Sequence, residues 1–241
     1  MSTGTESWKR HGLIEKKPLM MTVLVTILIS IGGLVELVPL AAIETNVPSI
    51  AEVEPYSPLE LEGRDIYLRE GCYNCHSQMI RPFRAETLRY GEYSRAGEFV
   101  YDHPFQWGSK RTGPDLHRVG GKYPDAWHYR HMEDPSKTSP GSIMPRYPWL
   151  LDAPLDLSLT ERKMKAMKTL GVPYTPKEIA DGAWNAKVQA KEIVANLAEA
   201  KIEADPNTEI IALIAYLQRM GTDFPSNAAQ AAALVPPKEA P

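Results

Sequence analysis

Cys72-Tyr73-Asn74-Cys75-His76 is the part of this sequence with the most specific chemical meaning. It has the C-x-x-C-H pattern of covalent c-type haem attachment, in which two thiols add to vinyl groups on one porphyrin edge and the adjacent histidine ligates the iron. The chain contains no cysteine besides these 2. The pattern therefore predicts one covalently bound haem c and assigns Cys72, Cys75 and His76 to it.

Other interpretations of the cysteine pair explain less. A thioredoxin-like dithiol needs a βαβ surround, and no alternating strand pattern flanks the motif. A structural zinc site needs two more soft ligands, and the sequence has no further cysteines to supply them. A disulfide between the two thiols would leave His76 without a role.

The second axial ligand of the iron has to come from a remote segment, because the chain near His76 is held on one side of the porphyrin. Methionine at this position stabilises ferrous iron and raises the potential, which suits an electron carrier. Met144 is the preferred candidate, since Pro145 blocks a helix there and holds the loop extended. The alternatives left open are Met132, His128 and His131.

The N-terminal region predicts a membrane anchor. Leu19 to Val35 carries no charge, and apolar character resumes after Glu36 as far as Ile43. This stretch would measure roughly 35 Å as a helix, and no A-x-A cleavage site follows it, so an uncleaved anchor is favoured over a signal peptide. The flanking charges place the N-terminus in the cytoplasm and the remainder outside: Lys9, Arg10, Lys16 and Lys17 precede the span, while Glu44, Glu52 and Glu54 follow it.

The rest of the chain predicts a mainly α fold. Ser57, Pro58 and Glu60 form a helix-start signal for a helix ending near Arg69. Residues 77–143 lack sustained periodicity and suggest loops wrapped around a large rigid group. Three later helix starts are indicated by Ser158-x-x-Glu161, by Thr175-Pro176-x-Glu178 and by Asp205-Pro206, with the last helix running to about Met220. The net charge of −3 and the lack of a basic patch argue against nucleic-acid binding.

These residues resemble a class I cytochrome c domain. Gly63 and Tyr67 match the small and aromatic pair that packs on the last helix of such domains, and Leu213–Leu217 is similar to that last helix. Gly113–Leu116 looks like the loop beneath the haem, in which the resemblance implies that the Pro114 carbonyl meets the histidine's other ring nitrogen. Met144-Pro145 matches the distal loop.

The closer resemblance is to the mono-haem cytochrome c subunit of cbb3-type cytochrome c oxidases, carried by Glu70–Pro82, Gly141–Leu150 and the anchor. It implies a non-catalytic electron relay of aerobic respiration, from donor cytochromes c to haem b of a haem–copper catalytic subunit, in the bacterial inner membrane with the haem domain in the periplasm. The expected organisation is a cytoplasmic N-terminus (1–18), anchor (19–43), Pro-rich linker (44–58), cytochrome c domain (59–221) with a helical insertion (158–203), and disordered tail (222–241).

Three other functions remain open. A free-standing membrane-anchored cytochrome c shuttle would carry the same motif and anchor, as would the cytochrome subunit of nitric oxide reductase. A haem enzyme or gas sensor would require an open iron site and hence no ligation by Met144.

Overall fold

The computed structural model describes residues 12, 14–43, 50–108 and 110–223 of the 241-residue chain. Most of the expected N-terminal segment, the first half of the linker and nearly all of the expected tail lie outside the described residues. The described part is mainly helical and contains no β-strand. The helices are α1 (Pro18–Ala42), α2 (Pro58–Arg69), α3 (Arg84–Tyr90), α4 (Asp125–Glu133), α5 (Pro135–Thr138), α6 (Trp149–Asp152), α7 (Thr160–Thr169), α8 (Pro176–Ala180), α9 (Gly182–Glu199) and α10 (Glu209–Arg219).

Helix α1 belongs to one compact unit, Met1–Pro48, and has the length and composition of a membrane span. Its 25 residues cover roughly 37 Å at 1.5 Å per residue. The window Pro18–Leu40 has a mean hydropathy of 2.3, and Glu36 is its single charged residue. The apolar run therefore forms one helix long enough to be a candidate membrane span, as predicted.

The second unit, Ser49–Pro241, is built around the contact between α2 and α10. Gly63 lies so close to α10 that a Cβ there would be 1.9 Å from the carbonyl oxygen of Ala212. One turn later, the ring of Tyr67 meets Tyr216 edge-on with centroids 5.4 Å apart. The glycine and tyrosine therefore make the contact with the last helix that the resemblance implies.

Residues 158–203, the expected helical insertion, contribute to the core. One face of α9 is buried, and its Ala186, Ala190, Ile193 and Leu197 join the same apolar cluster as α10. On the other side of α2, Leu61 packs with residues of α7 and α8 in a second cluster. Removing residues 158–203 would therefore expose both apolar clusters.

Helix boundaries agree with the sequence where a capping box forms and differ where it does not. Ser57 and Glu60 make the predicted reciprocal box at α2, and Thr175 with Glu178 makes the one at α8. The prediction at Ser158 was wrong, because α7 starts at Thr160 and has no side-chain cap. Helix α10 starts at Glu209 rather than near Asp205, whose carboxylate instead accepts from the amide of Asn207 in a preceding turn.

The helix predicted from Thr175 is broken into α8 and α9 at Asp181. At this break Gly182 packs against α7, where a Cβ would lie 2.9 Å from the sulfur of Met164. Residues 77–143 are also less irregular than predicted, because they include α3, α4 and α5.

A buried ion pair ties this irregular region to the core. Arg64 Nε of α2 lies 2.9 Å from Asp102 Oδ1, and both side chains are almost fully buried. The same guanidinium donates to the backbone carbonyls of His103 and Pro104. One charged side chain thus fixes the path of the loop that precedes the Trp107 region.

Candidate haem site

The four residues assigned from the sequence line a single cavity of about 560 Å³. Its volume falls within the usual range for small-molecule and cofactor sites, about 300–1,000 Å³. Tyr67 of α2 and Leu213 and Leu217 of α10 contribute to its walls. The structure therefore brings the attachment motif together with the loop that carries Met144, although 68 positions separate His76 from Met144 in the sequence.

The motif is placed by the end of α2. Gly71 adopts a left-handed conformation with φ of 71°, which turns the chain out of the helix into a 3-10 turn at Cys72–Asn74. The amide of His76 then donates to the carbonyl of Cys72 at 2.9 Å. No disulfide joins Cys72, which is partly buried, to Cys75, which is exposed. Burial, aided by the charge of Glu70, raises the pKa of the Cys72 thiol to about 12.

His76 is held in the tautomer that suits an axial ligand. Its Nδ1 lies 2.7 Å from the carbonyl oxygen of Pro114, so this nitrogen carries the proton and donates while the Nε2 lone pair stays available. The chain of Gly113 passes directly against the ring, where a Cβ would lie 2.3 Å from Cε1. Burial lowers the pKa of His76, opposed by the Pro114 carbonyl and Asp115, which favours the neutral, ligating form.

The alternatives to Met144 line the same cavity, so proximity alone does not separate them. Met144 sits in an extended loop, half-buried, with its amide accepted by Ser142 Oγ at 3.2 Å. His131 has its Nδ1 engaged by Thr138 Oγ1 at 2.6 Å. His128 is 1% exposed and its Nε2 has no hydrogen-bond partner among the described residues. Burial lowers the pKa of both histidines to about 4, so both are neutral at physiological pH.

The residues present fit a porphyrin. Buried polar atoms are normally hydrogen-bonded, so the unpartnered Nε2 of His128 at the cavity wall indicates a missing polar group. The imidazole of His76, fixed by its contact with Gly113, and the leucines of α10 on another wall suit a large apolar ring with a metal at its centre. Two cations at the cavity, Arg89 and Lys122, make no ion pair with a described carboxylate and so suit an anionic edge.

Sequence reasoning missed several of these cavity residues. Lys122 stands over the ring of Tyr123, which stacks on Trp127, which in turn stacks on His131. The spacing of Trp127 and His131 was a usable signal, since residues four apart in α4 share one helix face, and Tyr123 lies just before this helix. Of the arginines near the motif and the distal loop, Arg118 reaches the cavity but is already paired with Glu98.

Together, the fold and the cavity define a class of protein: a mainly helical domain with a cofactor-sized cavity, carried on a chain with one candidate membrane-spanning helix. The family model described as cytochrome c oxidase, mono-heme subunit/FixO, matches residues 11–224. The chain belongs to this family, and membership implies a haem cofactor and association with a catalytic oxidase subunit. No curated protein matched the chain.

Proposed function

We propose that this chain is the electron-relay subunit of a cbb3-type oxidase. Electrons from donor cytochromes c would pass through one haem c to haem b of the catalytic haem–copper subunit, where oxygen is reduced. The convergence of Cys72, Cys75, His76 and Met144 on one cavity is the observation that carries the proposal. The chain itself performs no bond chemistry on a substrate and serves to hold and orient the group that accepts and donates one electron.

Each residue of the site has a separate task. The thiols of Cys72 and Cys75 would each add across a porphyrin vinyl group, so that S–H and C=C become one thioether and no atom is lost. His76 would offer Nε2 to the iron, because its Nδ1–H is engaged by Pro114. Met144 would offer its sulfur, and the α10 leucines would limit the access of water to the group. Arg89 and Lys122 would offset the charge of its carboxylates.

We further propose that α1 anchors the subunit in the bacterial inner membrane, with the N-terminus in the cytoplasm and the haem domain in the periplasm. The support is the apolar length of α1 together with the basic residues before it and the acidic residues after it. A cysteine introduced near the N-terminus should resist a membrane-impermeant thiol reagent in intact spheroplasts. A cysteine introduced at Ser158, by contrast, should be labelled; the reverse pattern would reject this orientation.

Axial ligation is tested by Met144→Ala in the purified full-length chain. We expect loss of the weak near-infrared sulfur–iron band of the ferric protein and new carbon monoxide binding by the ferrous protein. Met132→Ala, which alters a second methionine of the same cavity, is the matched control and should keep the band. Retention of the band in Met144→Ala together with its loss in Met132→Ala, or a wild-type protein that lacks the band, would overturn the assignment.

The partner is tested by gentle detergent extraction of an affinity-tagged chain. We expect a large multi-helix subunit bearing b-type haem and copper to co-purify in about equal amount. Isolation as a stable lone cytochrome would instead support the free-standing shuttle. Co-purification with a subunit that has non-haem iron and lacks copper would support the nitric oxide reductase alternative. A wild-type protein that binds carbon monoxide readily would support the enzyme or sensor.

A further inference from the structure

Asp115 follows the residue whose carbonyl engages His76, and its carboxylate is wholly inaccessible to solvent. One oxygen, Oδ2, accepts from Ser77 Oγ at 2.6 Å and from the amide of Met79 at 2.8 Å. The other, Oδ1, accepts from the amide of His117 at 2.9 Å. The buried carboxylate of Asp115 therefore joins residues 77–79, just after the attachment motif, to the loop at residues 113–117 that contacts His76.

Backbone hydrogen bonds run between the same two segments. The amide of Gly113 donates to the carbonyl of Cys75, and the amide of Leu116 donates to the carbonyl of Ser77, each at 2.9 Å. The Pro114 carbonyl lies between these two ties. Asp115 adds the side-chain link that spans both segments.

Burying a carboxylate is costly unless its charge is compensated, and Arg111 provides the compensation. The guanidinium lies 3.4 Å from Asp115 Oδ2 and 2.8 Å from Glu86 Oε2, and its Nε donates to Ser77 Oγ at 2.7 Å. The cluster thus carries its own cation. Chain stability alone does not explain why this cluster is present, because well-packed apolar residues in place of a buried ion pair often give an equally stable protein.

We propose that Asp115 is a positioning residue that holds the Pro114 carbonyl against the Nδ1–H of His76, and so sets the orientation and basicity of the axial imidazole. The inference rests on the proposed haem ligation by His76. A strong acceptor at Nδ1 makes the imidazole a better donor to the metal, which favours ferric iron. Loosening the acceptor should therefore favour the ferrous state.

The test uses the full-length haem-loaded chain and the variant Asp115→Asn. We expect solvent exchange of the His76 Nδ1 proton, followed by NMR in the ferrous state, to accelerate at least tenfold, with amide exchange in α10 unchanged. At fixed ambient potential, the ferrous-to-ferric ratio should rise roughly tenfold, equivalent to about 59 mV for one electron. Ser77→Ala, which removes the hydrogen bonds of Ser77 Oγ with Asp115 and Arg111 but no charge, should change both quantities in the same direction by less.

Glu86→Gln is the matched control for charge. It removes a carboxylate from the same Arg111 cluster, and Glu86 makes no hydrogen bond to residues 113–117. We expect Nδ1 proton exchange to stay at the wild-type rate in this variant. Equal exchange rates in Asp115→Asn and wild type, or loss of α10 protection by the same factor, would overturn the positioning role. Failure of the proposed function would be seen earlier and separately, as a wild-type chain without covalent haem or without histidine ligation.

Discussion

Replacing Gly63 with alanine should separate the two helices on which the domain is built. The new Cβ would lie 1.9 Å from the carbonyl oxygen and 2.6 Å from the carbonyl carbon of Ala212, and 2.9 Å from Tyr216 Cβ. An ordinary carbon–oxygen contact is about 3.3 Å, so α10 would have to move by about 1.4 Å. Because the obstructing atoms are backbone, no change of side-chain rotamer can relieve the clash.

The magnitude follows from two opposing effects. Overpacking a core costs about 1–3 kcal/mol, and a backbone clash belongs at about the upper end. Alanine has a higher helix propensity than glycine, which stabilises the folded state by about 1 kcal/mol. We therefore expect the free energy of unfolding to fall by about 2 kcal/mol. For a domain of this size, each kcal/mol corresponds to about 2–4 °C, so Tm should fall by about 4–8 °C.

The assay is guanidinium and thermal unfolding of the haem-loaded chain, followed by far-ultraviolet circular dichroism. Gly182→Ala is the matched control, since its nearest neighbour is the flexible tip of Met164, and we expect a change within about 0.5 kcal/mol. If Gly63→Ala were as stable as wild type, or no less stable than the control, the close crossing of α2 and α10 would be refuted.

The remaining predictions concern charge and the proximal loop. Arg64→Ala leaves the buried carboxylate of Asp102 unpaired and should lower the free energy of unfolding by about 3–5 kcal/mol, measured by guanidinium titration. Hydrogen bonds from the guanidinium groups of Arg111 and Arg81 lower the pKa of Glu86 to about 2. Since this folded-state pKa is depressed, its stabilisation is present above about pH 4.5 and is lost as pH falls towards about 2. Wild type and Glu86→Gln should therefore differ in Tm at neutral pH and converge near pH 2, whereas a constant difference would contradict this. Gly113→Ala should displace His76 and convert the ferric spectrum from low spin to high spin, and an unchanged spectrum would refute the close contact.

The sequence predicted helix starts correctly where the stabilising hydrogen bonds join residues close together in the chain. The capping boxes at Ser57 and Thr175 form as expected, because hydroxyl and carboxylate lie within one turn of each other. The cap predicted at Ser158 does not form, and the helix starts one residue later, at Thr160, which is fully buried and donates its hydroxyl to Glu62 of α2. The break between α8 and α9 at Asp181 was likewise not visible in the apolar periodicity of this segment.

In the candidate site, too, some residues could be predicted from a local motif and others only from the tertiary structure. The cysteines and His76 follow from a five-residue motif, and the Pro114 contact follows from a resemblance that the structure bears out. Arg89 and Lys122 could not be selected from the sequence, because 27 lysines and arginines are present and only packing shows which of them reach the cavity unpaired. Asp115 was equally hidden, since its role depends on donors 36 and 38 positions away.

The contact of Gly63 with Ala212 also constrains biosynthesis, because these residues are 149 positions apart in the chain. Closing so long a loop is a late event in folding, and it requires the complete segment through α10. A chain delivered N-terminus first therefore exposes Cys72 and Cys75 well before the leucines of α10 emerge to wall off the cavity. Under the proposed haem attachment, both thiols would therefore be accessible before the docking of α10 closes the cavity.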